Sequence, residues 1–142
     1  MTSIRDSITV LSDGLYYTEI LTDQVHQKIE NLGTRMGFVN LLVQHTTSAL
    51  LLVEHEAGII MDIKEALQKL LPESGEFYHH QRGVDRNGAG HVLSALFNGT
   101  LTIPVIDGEM VLGTYQEIMF MDFQPERTER AVAVTIMGAC EP

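Results

Sequence analysis

The chain has little of what staples or scaffolds a protein from outside its core: one cysteine, no tryptophan and four prolines in 142 residues. The lone thiol, Cys140, can close no intrachain disulfide, so a reducing cytoplasm is the simplest compartment. Positive charge is scarce, with 9 lysines and arginines against 19 acidic residues and a net charge of −10. That balance argues against broad nucleic-acid binding, because a phosphate backbone attracts positive faces. No apolar run approaches the roughly 20 residues of a membrane helix, and Met1-Thr2-Ser3-Ile4-Arg5-Asp6 lacks the apolar stretch of a signal peptide. A soluble, cytoplasmic protein with no membrane or nucleic-acid partner is expected. Also missing are a glycine-rich phosphate loop, an HExxH, a paired CxxC and any coiled-coil heptad.

What remains suffices for one folded unit. Hydrophobic residues make up 44% and charged residues 20%, a globular balance, and the length suits a single domain over 1–142 that needs no metal to fold. Ser7 to Leu11 and Leu15 to Ile20 read as strands around a Ser12-Asp13-Gly14 hairpin turn. Leu21, Val25, Ile29 and Leu32 recur at helical spacing, with Thr22 as N-cap and Gly33 as stop. Met36 to Val43 and Ala49 to Val53 suit buried strands. Gly58 to Leu71 forms the clearest helix, its stripe made of Ile59, Ile60, Ile63, Ala66, Leu67, Leu70 and Leu71. His91 to Phe97 reads as a short helix. Leu101 to Ile106 and Glu109 to Leu112 flank Asp107-Gly108, the dipeptide of a type I′ turn. Pro104 places its strand at an edge or beside a bulge. Gln116 to Asp122 and Ala131 to Met137 complete the strands. Strands and helices mixed through hairpin connections favour an α+β fold, small and sandwich-like, with a largely antiparallel sheet and two to three helices.

Chemistry concentrates in polar breaks between these elements. Pro72 to Gly90 is a long polar loop holding Tyr78, His79, His80, Arg82, Asp85, Arg86 and Asn87, and loops of that length are often functional. Six histidines are present: His26, His45, His55, His79, His80 and His91. A single histidine is more often a hydrogen-bonded structural residue, but several at loops and element ends suit a transition-metal site. His45-Thr46-Thr47-Ser48 sets three hydroxyls beside an imidazole, where they can fix its tautomer, bind an anion, or simply stabilise a turn. Glu54, at the end of a buried strand, suits a general base. Glu56 suits a helix start, where the macrodipole favours acids. Beyond Lys69 every cation is an arginine: Arg82, Arg86, Arg127 and Arg130. The guanidinium fork pairs with carboxylate or phosphate, so these give either charge balance or a local anion site.

The string His45-Thr46-Thr47-Ser48-Ala49-Leu50 with Glu54 resembles the opening signature of the YjbQ family, often labelled secondary thiamine-phosphate synthase. The likeness continues through Leu71-Pro72-Glu73, Tyr78-His79-His80-Gln81, His91-Val92-Leu93-Ser94-Ala95-Leu96 and Leu101-Thr102-Ile103-Pro104-Val105. It ends with Gly113-Thr114-Tyr115-Gln116, Arg127 through Arg130, and the strand to Gly138. It thus covers nearly the whole chain in order. The sequence departs from the family at Gln81, where asparagine is usual, and in the glycine-rich Asn87-Gly88-Ala89-Gly90.

The resemblance implies the small sandwich-like α+β fold, a homotrimer and a metal-compatible site. Its metal ligands would be His45, His80 and His91, with His79 replacing His80 if the loop shifts by one. His45, Glu54 and Gln116 would be catalytic. Thr46, Thr47, Ser48, Asn87, Arg127 and Arg130 would hold a small anionic substrate. The activity implied is coupling of a pyrimidine diphosphate to a thiazole phosphate, with release of pyrophosphate. Histidine ligands favour zinc or another transition metal over magnesium. A metal-dependent hydrolase of a small phosphorylated or anionic metabolite is therefore an alternative, and a non-enzymatic trimeric metal- or anion-binding module is another.

Overall fold

A computed structural model describes residues 2–83 and 85–140. The elements run β1 (Thr2–Ser12), β2 (Thr18–Ile20), α1 (Thr22–Leu32), β3 (Thr34–Val43), β4 (Ser48–Val53) and α2 (Ala57–Leu70). They continue with α3 (His79–Arg82), α4 (Gly88–Leu96), β5 (Thr100–Ile106), β6 (Glu109–Met110), β7 (Glu117–Asp122) and β8 (Thr128–Cys140). The fold is α+β. A five-stranded sheet has the order β1-β8-β3-β5-β6 and a three-stranded sheet the order β2-β7-β4. Every pairing in both is antiparallel.

The alternation of side chains along β7 organises the interior. Ile118 and Phe120 point into the larger core, with Val10, Val39, Leu41, Val134 and Ile136 of the large sheet and Val25 and Ile29 of α1. Met119, Met121 and Phe123 point the other way, into a second core closed by Leu67 of α2 and Leu93 of α4. Successive strand residues face opposite sides, and here both sides are dry. That is why 118–121 is an unbroken apolar run, followed by the buried Asp122. Each of the fully buried side chains Ile118, Met119, Phe120 and Met121 stabilises the fold by about 1.5–3 kcal/mol.

Several local expectations hold. Gly33 closes α1 in the left-handed conformation, its N–H donating to the carbonyls of Ile29 and Glu30. Asp107 and Gly108 both take positive φ between β5 and β6, as a type I′ turn requires. Glu56 caps α2, its carboxylate accepting the N–H groups of Gly58 and Ile59.

Others are corrected. The Ser12-Asp13-Gly14 segment is not a hairpin turn: β1 pairs with β8 and β2 with β7, so the chain crosses there from one sheet to the other. Gly14 makes that crossing with φ 121°, where an added Cβ would lie 2.5 Å from the carbonyl oxygen of Pro125. Thr22 does not cap α1; its hydroxyl is bonded to Glu117 and accepts the N–H of Ile118, tying α1 to β7. Of that predicted stripe only Ile60, Ile63, Leu67 and Leu71 line the second core. Ile59, Ala66 and Leu70 are exposed, because the helix meets a single sheet along one narrow seam. α4 starts at Gly88, three residues before the expected His91.

Candidate metal centre

The long polar loop is built on two short helices. α3 ends at Arg82, and α4 opens at Asn87, whose side-chain oxygen accepts the N–H of Gly90. The Asn87 amide nitrogen in turn donates to the carbonyl oxygen of Phe123, just beyond β7, at 2.9 Å. This pins the first turn of α4 to the strand layer. The glycines make the fit: a Cβ at Gly88 would come within 2.6 Å of the Phe77 side chain, and one at Gly90 within 2.6 Å of the Phe123 carbonyl oxygen. The glycine-rich entry to α4 is thus a close approach of backbone to its neighbours.

Between the helices, Asp85 stands between two imidazoles. Its Oδ1 is 2.9 Å from Nε2 of His79 and its Oδ2 is 3.3 Å from Nε2 of His91. The ring centroids of His79 and His91 are 4.7 Å apart. Donor atoms of the three residues all lie within 4.8 Å of one another. Two ligands bound at about 2.1 Å to one tetrahedral ion sit roughly 3.4 Å apart, so the spacing fits a shared metal. The N–H of Asn87 also donates to Asp85 Oδ1 at 2.8 Å. That bond first, then those from the two imidazoles, holds the Asp85 carboxyl well below the usual carboxylate range. The group is therefore ionised and ready as a ligand.

His79 and His91 thus converge, and Asp85 joins them. The sequence named Asp85 only as part of the polar loop; the available signal was its place six residues from each histidine in a turn-forming stretch. His80 turns elsewhere: its Nε2 accepts the N–H of Gly88 at 3.0 Å and its ring packs edge-on against Phe77.

A second polar group lies under the β3–β4 turn. Arg130 and Asp122 are both buried, joined by Nε–Oδ2 and Nη2–Oδ1 contacts of 3.1 and 2.7 Å. Nη2 of Arg130 also donates to the Thr47 hydroxyl at 2.8 Å. Thr47 donates onward to Gln124, and its carbonyl accepts the N–H of Phe123. His45 is half-buried nearby, its Nε2 accepting the backbone N–H of Ala131 at 2.9 Å. Burial chiefly, then the Arg130 charge, pushes its pKa down, against an opposing pull from Asp122.

The other sequence candidates are spread over the surface or held in local bonds. Thr46 and Glu54 are exposed. Ser48 is buried, its hydroxyl without a hydrogen-bond partner among the described residues, while its carbonyl accepts the hydroxyl of Ser94 on α4. Gln116 folds back to accept the N–H of Gly113 at 2.8 Å. Arg127 is exposed and faces Asp13 at 3.3 Å.

The depressed pKa of His45 sets a pH dependence. The folded state holds the ring neutral, whereas the unfolded chain protonates near its ordinary value of about 6.5. Its contribution is complete above that value and is lost as pH falls through the lower folded pKa. The urea midpoint is expected to fall between pH 7.5 and pH 5, and to fall less in His45→Gln, whose amide oxygen can still accept the Ala131 N–H. An equal fall in both proteins would remove His45 as the cause.

These features define a class: an antiparallel two-sheet α+β protein whose loop carries a His–Asp–His cluster of two half-buried imidazoles and an exposed carboxylate. The model of the family described as UPF0047 protein YjbQ-like matches residues 7–139, and the chain belongs to that family. A UPF0047 protein of Archaeoglobus fulgidus is 38% identical over 112 residues, covering 79% of this chain and 85% of the relative. One from Methanothermobacter thermautotrophicus is 33% identical over 118 residues, 83% of this chain and 80% of the relative. Among solved structures, a YbjQ-like protein of unknown function from Sulfolobus solfataricus superposes with a TM-score of 0.92 at 29% identity, covering 97% of this chain and 99% of its own.

Proposed function

We propose that the chain is a transition-metal-dependent enzyme acting on a small molecule, with His79, Asp85 and His91 as ligands and hydrolysis as its chemistry. The convergence of two imidazoles and one ionised carboxylate within 4.8 Å carries this reading. Two nitrogens and one oxygen suit zinc or a related ion better than magnesium, which prefers oxygen throughout. Three protein ligands leave a position open, as catalytic sites do and closed structural sites do not. When bound, such an ion supplies Lewis acidity and acidifies a water. The chain's own part is positional: the Asn87 N–H orients Asp85, and the Asn87 side chain anchors the helix that carries His91.

The thiamine-phosphate synthase-like coupling implied by the resemblance stands second. It needs cations for a departing pyrophosphate, and Arg130 is already balanced by Asp122. Arg86 lines a groove beside His80 and is the residue that favours this second reading. The homotrimer and the anionic substrate rest on the resemblance and belong to the proposal with it.

Metal analysis of the purified chain tests the reading, with about one transition-metal ion per chain expected. The loaded protein is then assayed with candidate substrates, and a hydrolysed product without coupling is expected. Thiamine phosphate plus pyrophosphate would promote the synthase reading. Bound metal with no turnover would leave a binding module, and no affinity for any transition metal would end the proposal.

A further inference from the structure

We infer that the molecule handled at this site carries an apolar, ring-sized body beside its metal-binding group, and that the body lies along the outer face of α4. The inference rests on the metal reading above. A groove of about 440 Å³ contains both His79 and His91 and continues over Phe77, Tyr78, Val92, Ala95 and Leu96. That volume lies in the range of small-molecule sites, which are mostly apolar with a few convergent polar groups.

The pattern on α4 shows that folding alone does not account for this wall. Leu93 is the residue of the helix that fills the second core. On the outward side, His91 and Ala95 are four apart, as are Val92 and Leu96, so each pair stacks along one face. Leu96 is 65% exposed and Tyr78 88%. An apolar wall running up to a few convergent polar groups is how small-molecule sites are built.

Charge limits what enters. Among its described lining residues the groove has no lysine or arginine, and Glu76 stands at its edge. Away from the metal end, a phosphate would meet no lysine or arginine among the described lining residues and one carboxylate. An uncharged hydrocarbon or aromatic body meets Phe77, Val92 and Leu96, while the metal-binding head reaches the ion held at His79 and His91.

Two hydroxamates with the same chelating head separate the possibilities. Zinc binding by the full chain is measured first; its absence overturns the metal reading, and this inference falls with it. With zinc bound, benzohydroxamate is expected to bind about tenfold tighter than acetohydroxamate, the ring being the difference. Leu96→Asp and Val92→Asp should abolish that advantage and leave zinc affinity unchanged. Equal affinity for the two probes in the parent chain overturns the inference while the metal site stands. So does a preference that survives both substitutions. If a second copy of the chain covers the groove instead, both probes bind alike and Leu96→Asp lowers the native mass, which also overturns it.

Discussion

Arg130→Met is expected to lower the melting temperature by about 10–15 °C, the largest stability effect of any single side chain outside the apolar cores. The substitution leaves the Asp122 carboxylate, fully buried, with the N–H of Gln124 as its remaining hydrogen-bond donor among the described residues. Removing one partner of a buried pair costs about 3–5 kcal/mol, mostly the penalty of the stranded charge. Thr47 also loses the donor to its hydroxyl. The double variant Arg130→Met/Asp122→Leu should recover most of the loss, because a buried pair replaced by packed apolar groups is often neutral. Thermal unfolding of the two variants checks both statements. A fall of only a degree or two in Arg130→Met would mean that Asp122 finds water or another donor, and that the pair holds nothing together.

Asp85→Ala is expected to weaken zinc or cobalt binding by at least about 100-fold, more than loss of an outer orienting group costs. The carboxylate supplies the only negative charge of the His79–Asp85–His91 set. Because Asp85 is exposed, the fold should survive, so far-ultraviolet circular dichroism stays unchanged while competition with a chromogenic chelator reads the affinity. His91→Ala should match it, whereas His80→Ala should shift affinity far less, since that ring serves the Gly88 N–H. Affinity unaltered in Asp85→Ala would show that the carboxylate is a hydrogen-bond partner of two histidines and no ligand.

Much of this architecture was legible because local pattern and tertiary role coincide. The Asp107-Gly108 turn requires its own positive φ angles, and the helix stop at Gly33 needs nothing beyond the helix. The false hairpin at Ser12-Asp13-Gly14 has the opposite cause. A turn-like triplet between two apolar runs says nothing about partners more than a hundred residues away, and β1 and β2 find theirs at β8 and β7. The histidines show the same limit at finer scale. Neighbouring residues of one helical turn point about 100° apart, so His79 and His80 cannot face the same target. Which of them meets His91 depends on Phe77 and Gly88 packing against the other, and that is settled only by the folded loop. Nothing local distinguishes Asp85 as a ligand, because an aspartate in such a segment is also an ordinary turn residue.

The strand shared by the two cores also ends beneath the site. Phe123 follows β7 directly; its ring fills the second core, its N–H donates to Thr47 and its carbonyl accepts from Asn87. The α4 half of the site is therefore moored to the segment that must stay in place for either core to persist. Its opening free energy should approach that of whole-molecule unfolding, with amide exchange to match. Among the described residues α3 is held to α4 through His80, which accepts the Gly88 N–H, and to Asp85 through His79, so its amides are expected to exchange faster than those of α4.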